Sequence, residues 1–267
     1  THQIVENEGC LILFPEADRV KKIVVDFLNH YRIPAYDEAT HTGLVRHIRL
    51  VGYSVLTAFL VPLWCQFGMN PVWGRAGLLL FFLLMFMEMM LSHTKLRLEK
   101  VALCFFGALV VPSLLSAMLR ILAPEGGRYL ILIPCVLAFL SDTGAYFIGC
   151  RFGKHKLAPV LSPNKTIEGA LGGIAAGIVC MLLYAVILDW PLKFDVNYGA
   201  AIIYGVLGCL AGELGDLCFS VIKRQTGIKD YGNLIPGHGG VLDRFDSILA
   251  VAPLIEALLL IMPVVIL

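Results

Sequence analysis

The stretch GALGGIAAGIVCMLLYAVILD, residues 169–189, runs for twenty positions without a charge before it reaches Asp189. A helix crossing the hydrocarbon core of a bilayer needs about 20 predominantly apolar residues, so this run qualifies as a span. The same test applied outward in both directions finds seven candidates, at approximately 48–67, 76–92, 101–122, 129–149, 169–189, 198–222 and 247–267. Composition agrees. Of the 267 residues 58% are hydrophobic and 15% charged, and the mean hydropathy is +0.80, far too apolar for a soluble domain of this length. The predicted fold class is therefore an all-α polytopic membrane protein of about seven transmembrane helices.

The formal charge of +1 conceals a patterned distribution. Alternate connections carry Arg46 and Arg49, then Lys95, Arg97 and Lys100, then Arg151, Lys154, Lys156 and Lys165, then Lys223, Arg224, Lys229 and Arg244. The other connections hold only Arg75, Arg128 and Lys193, with Arg120 near a helix end and able to snorkel. Basic residues stay in the cytoplasm, which predicts a cytoplasmic N-terminus, an external C-terminus and a polar cavity on the cytoplasmic side.

Residues 1–45 are polar and lack a signal-peptide pattern. They read as a cytoplasmic extension containing one amphipathic helix at roughly 17–32, where Val20, Val24, Phe27 and Tyr31 share a side and Pro34 ends it. Residues 46–267 form the membrane domain, with its chemistry in the half from about 129 onward. The chain opens on Thr1, so further sequence is expected ahead of it. Eight scattered cysteines, with no C-x-x-C pair, read as small packing residues and not as a zinc site. No internal repeat is visible.

Three polar stretches interrupt the apolar pattern. The first, Ser141-Asp142-Thr143-Gly144, places an acid inside a span; an intramembrane aspartate marks function or an interhelical hydrogen bond. The second runs through Lys154-His155-Lys156 to Ser162-Pro163-Asn164-Lys165-Thr166-Ile167-Glu168. Ser162, Pro163 and Glu168 predict a helix opening, where Lys165 and backbone N–H groups hold phosphate oxygens. Basic loops beside a membrane also bind anionic lipid heads.

The third stretch carries most of the argument. Glu213, Asp216, Ser220 and Lys223 recur at spacings of three and four, along one face of the sixth span. Asp243 and Asp246 are likewise i, i+3 at the start of the seventh, so two carboxylate pairs converge from adjacent helices. Carboxylates, cations and the Gly239-Gly240 turn in one pocket suit a magnesium nucleotide. An ion pathway would account for the aspartates but not for the Lys, Arg and Gly-Gly around them. Neither G-x-x-x-x-G-K-[ST] nor a strand-turn-helix G-x-G-x-x-G occurs, so P-loop and Rossmann sites have no support.

From Ser220 to Asp246 the chain matches S-x-[apolar]-K-R-x4-K-D-x-[small]-x2-[apolar]-[PGS]-x-H-G-G-[apolar]-x-D-R-[apolar]-D at every fixed position. In this it resembles the phosphatidate cytidylyltransferase family, the CDP-diacylglycerol synthases. SDTGAYFIG at 141–149, FGKHKLAP at 152–159 and SPNKTIEG at 162–169 are also similar to that family, so the resemblance covers most of 100–267. It implies transfer of CMP from CTP to phosphatidate with release of pyrophosphate and a need for Mg²⁺, a second cation being left open.

The roles that follow are Asp216, Asp243 and Asp246 as metal ligands, and Lys165, Lys223, Arg224 and Arg244 as phosphate holders. Asp142, Glu168, Glu213 and Asp230 organise the shell or read cytidine. His238 contacts phosphate or braces the Gly239-Gly240 turn, and Thr166, Ser220 and Lys229 complete the substrate-binding set. The partners implied are CTP, phosphatidate and the bilayer, with a homodimer entertained and no nucleic acid. A CTP-dependent polyprenol or phytol kinase is the nearest rival, and a transporter the rival of a different class. The D-G-x2-A-R-x8-G-x3-D-x3-D pattern of CDP-alcohol phosphotransferases is absent.

Overall fold

The computed structural model describes residue 26 and residues 48–67, 70–91, 98–159, 161–232 and 240–266. The amphipathic helix expected near 17–32 and most of residues 1–45 lie outside these, as do His238 and Gly239. The chain divides into two compact units, Thr1–Pro112 and Ser113–Leu267.

In the first unit α1 (Ile48–Phe67), α2 (Pro71–Leu91) and α3 (Leu98–Phe105) pack together with a π-helical turn at Phe106–Val110. Their shared core is Leu50, Phe81, Met85, Val101 and Ala108. Phe81 meets Phe105 edge to face, with ring centroids 5.1 Å apart, the arrangement that aromatic quadrupoles favour.

The second unit continues through α4 (Val111–Leu122), a short α5 (Gly127–Leu130) and α6 (Leu132–Phe152) into a β-hairpin, β1 (Lys156–Ala158) and β2 (Ser162–Thr166). Beyond it come α7 (Ile167–Asp189), β3 (Asp195–Val196), α8 (Tyr198–Gln225), α9 (Leu242–Ile261) and β4 (Val265–Ile266). Helices α6, α7, α8 and α9 pack on one another. Tyr204, fully buried among them, donates its hydroxyl hydrogen to the Met262 carbonyl at 3.1 Å. Antiparallel β3 and β4 pair Asp195 with Ile266 and tie one end of the unit together.

Among the described residues, five apolar helical runs are long enough to cross a membrane: Pro71–Leu91, Leu98–Leu122, Gly127–Phe152, Ile167–Asp189 and Tyr198–Gln225. No more than a third of any of them is buried by protein. Leu171, Val179 and Leu183 of α7 are 62%, 55% and 60% exposed, an apolar surface that lipid covers and water does not. The chain is an integral membrane protein.

Two expectations need correction. The fold is mainly helical but not purely so, since two small antiparallel ribbons are present. The helix expected to open near Ser162 begins at Ile167, because Ser162–Thr166 is drawn into pairing with β1, Lys156 opposite Thr166. Thr166 is the N-cap, its hydroxyl oxygen accepting the Gly169 N–H at 3.1 Å.

Close helix contacts set the position of the polar groups. A Cβ on Gly173 would lie 2.9 Å from the Ser141 carbonyl oxygen, so only glycine lets α7 approach α6 there. Gly215 does the same between α8 and α9: a Cβ would lie 2.8 Å from Ala250 Cβ and 3.0 Å from the Asp246 carbonyl oxygen. The neighbour of Gly215 is Asp216, and this approach brings it to Asp246.

Candidate active site

The C-terminal ends of α6 and α8 and the N-terminal ends of α7 and α9 meet around a cavity of about 650 Å³. That is within the range of small-molecule sites, about 300–1,000 Å³. Its walls carry six carboxylates, Asp142, Glu213, Asp216, Asp230, Asp243 and Asp246, and four cations, Lys156, Lys165, Lys223 and Arg244.

Two lysine-centred clusters organise them. Lys165 Nζ lies 2.5 Å from Glu213 Oε2 and 2.7 Å from Asp216 Oδ2. Burial alone would lower the Lys165 pKa, but the Asp216 charge and hydrogen bonds to Asp216 and Glu213 outweigh it and raise it. Lys223 Nζ lies 3.1 Å from Asp243 Oδ1 and 3.8 Å from Asp246 Oδ2. The clusters touch where the Asp246 carboxyl faces Asp216.

Asp243 sits in the polar first turn of α9 and is engaged on both oxygens. Oδ2 accepts the Tyr231 N–H at 2.8 Å and the Gly240 N–H at 2.9 Å, while Oδ1 takes Lys223. Burial pushes its pKa up, yet the Gly240 N–H, Lys223 and the Tyr231 N–H together hold it below the ordinary carboxylate value. Tyr231, whose ring lies 5.4 Å from Lys223 Nζ, is pushed up to about 12 by burial and by the charges of Asp243 and Asp246.

Glu168 does not line the cavity. Its Oε2 accepts the Lys154 and His155 N–H groups at 3.1 and 3.2 Å, and its Oε1 lies 2.6 Å from His155 Nδ1. It therefore fixes the hairpin that presents Lys156, Asn164 and Lys165.

The structure brings Asp142, Lys165, Thr166, Asp216 and Lys223 to one cavity with Asp230, Asp243, Arg244 and Asp246. Arg224 and Lys229 are exposed and off its wall, as is half-buried Ser220. Gly240 is buried and contributes its N–H to Asp243. His238 and Gly239 are outside the described residues. Lys156 and Asn164 were not anticipated as site residues, although both were visible in basic and polar runs; their inward placement needs the hairpin.

Among the described residues, no group of three or more His, Cys, Asp or Glu forms a ready-made metal cage. The facing Asp216 and Asp246 carboxylates suit a different arrangement, in which a hard cation takes one or two carboxylates and completes its shell from phosphates. The wall carries two more carboxylates than cations, a surplus of the sign that a divalent cation could offset.

The chain is 44% identical over 134 residues to a phosphatidate cytidylyltransferase of Staphylococcus haemolyticus, the match covering 50% of each chain. It is 46% identical over 136 residues to that of Staphylococcus epidermidis, covering 51% of this chain and 50% of the relative. For Staphylococcus aureus the figures are 45% over 134 residues, 50% of each. The chain thus spans about half the length of the curated relatives it matches. The profile of the cytidylyltransferase family extends further, matching residues 23–262, and the chain belongs to that family.

Proposed function

We propose that this protein is a phosphatidate cytidylyltransferase, making CDP-diacylglycerol and pyrophosphate from CTP and phosphatidate. The observation that carries the reading is the 650 Å³ cavity with opposed carboxylates and four cations, set at one end of apolar helices. A nucleotide and a lipid headgroup meet at such a place. The relatives' names and the 220–246 signature support CTP and phosphatidate in these two roles.

In the reaction a phosphate oxygen of phosphatidate attacks the α-phosphorus of CTP. The new P–O bond forms as the bond from the α-phosphorus to the bridging oxygen breaks, and pyrophosphate leaves. The attacking phosphate is already anionic, so no protein nucleophile or strong base is required. Lys165, Lys223 and Arg244 hold phosphate oxygens and orient the two substrates in line. Asp216 and Asp246 would hold Mg²⁺, with Asp243 bracing Asp246 through Lys223; a bound ion would supply positive charge against the negative charge developing on the leaving pyrophosphate. Asp142 and Asp230 supply polar groups for the cytosine and ribose.

The basic connections support a cytoplasmic position for this cavity, on the side where CTP is found. Seven spans, with α1 and α9 joining the five long apolar helices, and a homodimeric assembly complete the proposal. Purified protein in vesicles with CTP, phosphatidate and Mg²⁺ should yield CDP-diacylglycerol. Lipid phosphate with CDP would instead identify a lipid kinase, and solute flux without nucleotide turnover a transporter.

A further inference from the structure

Lys165 makes two short ionic contacts on the cavity wall. It bridges Glu213 and Asp216 at 2.5 and 2.7 Å with 21% of its side chain exposed, against 14% and 25% for the two acids. Its backbone is fixed, because β2 pairs with β1, Thr166 caps α7, and Glu168 clamps residues 154 and 155. The side chain beyond that backbone is a compact charge on a flexible four-carbon stem.

The same Asp216 faces Asp246, the pair suited to a divalent cation. A cation approaching Asp216 meets the Lys165 ammonium already in contact with its carboxylate. An arriving polyphosphate offers that ammonium new oxygen partners in the cavity it lines.

We propose that Lys165 is a tethered counter-ion, which neutralises Glu213 and Asp216 before substrates bind and passes to phosphate oxygens when cation and nucleotide enter. The inference rests on the metal-nucleotide reading of this cavity. Its consequence is coupling: the cation and the nucleotide each favour the same displacement of Lys165, and so each promotes the binding of the other.

The test is Mn²⁺ binding to the full chain in detergent, followed by paramagnetic resonance without nucleotide, then CTP binding at saturating Mg²⁺. Lys165→Gln should bind Mn²⁺ about tenfold more tightly than the parent protein, yet bind CTP more weakly. A purely structural role would weaken both. Adding Asp216→Asn to Lys165→Gln should erase the gained Mn²⁺ binding. Lys165→Arg, whose planar fork grips carboxylates more firmly, should bind Mn²⁺ no more tightly than the parent, and this variant carries the test if the glutamine variant does not fold.

Mn²⁺ curves that superimpose for parent and Lys165→Gln, gained binding that survives Asp216→Asn, or tighter binding by Lys165→Arg would each overturn the proposal. Failure of the cytidylyltransferase reading has a different signature, namely a parent protein that makes no CDP-lipid even though its Mn²⁺ binding responds to Lys165 as expected.

Discussion

Lys223 Nζ stands 3.1 Å from Asp243 Oδ1, joining the last turn of α8 to the first turn of α9. The other oxygen of Asp243 holds the backbone at Tyr231 and at Gly240. One carboxylate thus braces both borders of the connection between the helices. Asp243→Asn keeps the shape but loses the charge and one acceptor. Turnover should fall by roughly 10- to 100-fold, as for loss of groups that support a metal site. Thermal unfolding should report a loss of about 1–3 kcal/mol, as for a buried donor left unpaired. Normal turnover in a folded variant would remove Asp243 from the site.

The same residue supplies a pH dependence. Its pKa in the folded protein is depressed, so its stabilising contribution is complete above the unfolded value, about 3.9, and is lost as pH falls through the lower folded value. The difference in melting temperature between parent and Asp243→Asn should be constant from pH 7 down to about 4 and shrink only below that. A difference that collapses between pH 7 and 5 would contradict the assignment.

Gly215 is expected to be intolerant of any side chain. The Cβ of Gly215→Ala meets Ala250 at 2.8 Å and the Asp246 carbonyl oxygen at 3.0 Å, forcing α8 from α9 and Asp216 from Asp246. Overpacking of this kind costs about 1–3 kcal/mol, and activity should fall with stability. Gly77→Ala in α2, where a Cβ meets nothing within 4 Å, should be neutral in both measurements.

Arg120 lies near a helix end, where its long side chain is able to snorkel. It makes a two-pronged ion pair with Glu256, Nε to Oε1 at 2.5 Å and the terminal nitrogen to Oε2 at 2.8 Å. Glu256→Gln should destabilise by about 1–3 kcal/mol, since it removes the carboxylate partner of a half-buried cation, whereas Arg120→Leu with Glu256→Leu should restore much of the loss. Calorimetry of the two variants distinguishes this from a surface pair, for which both would be near parent stability.

What the sequence made legible follows from the range of each interaction. Span length and i, i+3 or i, i+4 spacing are local, and they placed Glu213, Asp216 and Lys223 on one helix face and Asp243 with Asp246 on another. The convergence of these faces followed because the helices are consecutive. Partners distant in the chain were hidden: Lys165 with Glu213 and Arg120 with Glu256 are separated by 48 and 136 residues. The β-hairpin was missed for a similar reason. Strands of three and five residues carry too little periodicity to outweigh a Ser-Pro sequence that reads as a helix start.

Cytidylyl transfer and phosphoryl transfer differ in which phosphorus of CTP reaches the lipid. Purified protein supplied with phosphatidate, Mg²⁺ and CTP labelled at either the α- or the γ-phosphorus should place label in extracted lipid only from the α position, with γ-label released as pyrophosphate. Label entering lipid from the γ position, with none from the α position, would contradict cytidylyl transfer and identify a kinase.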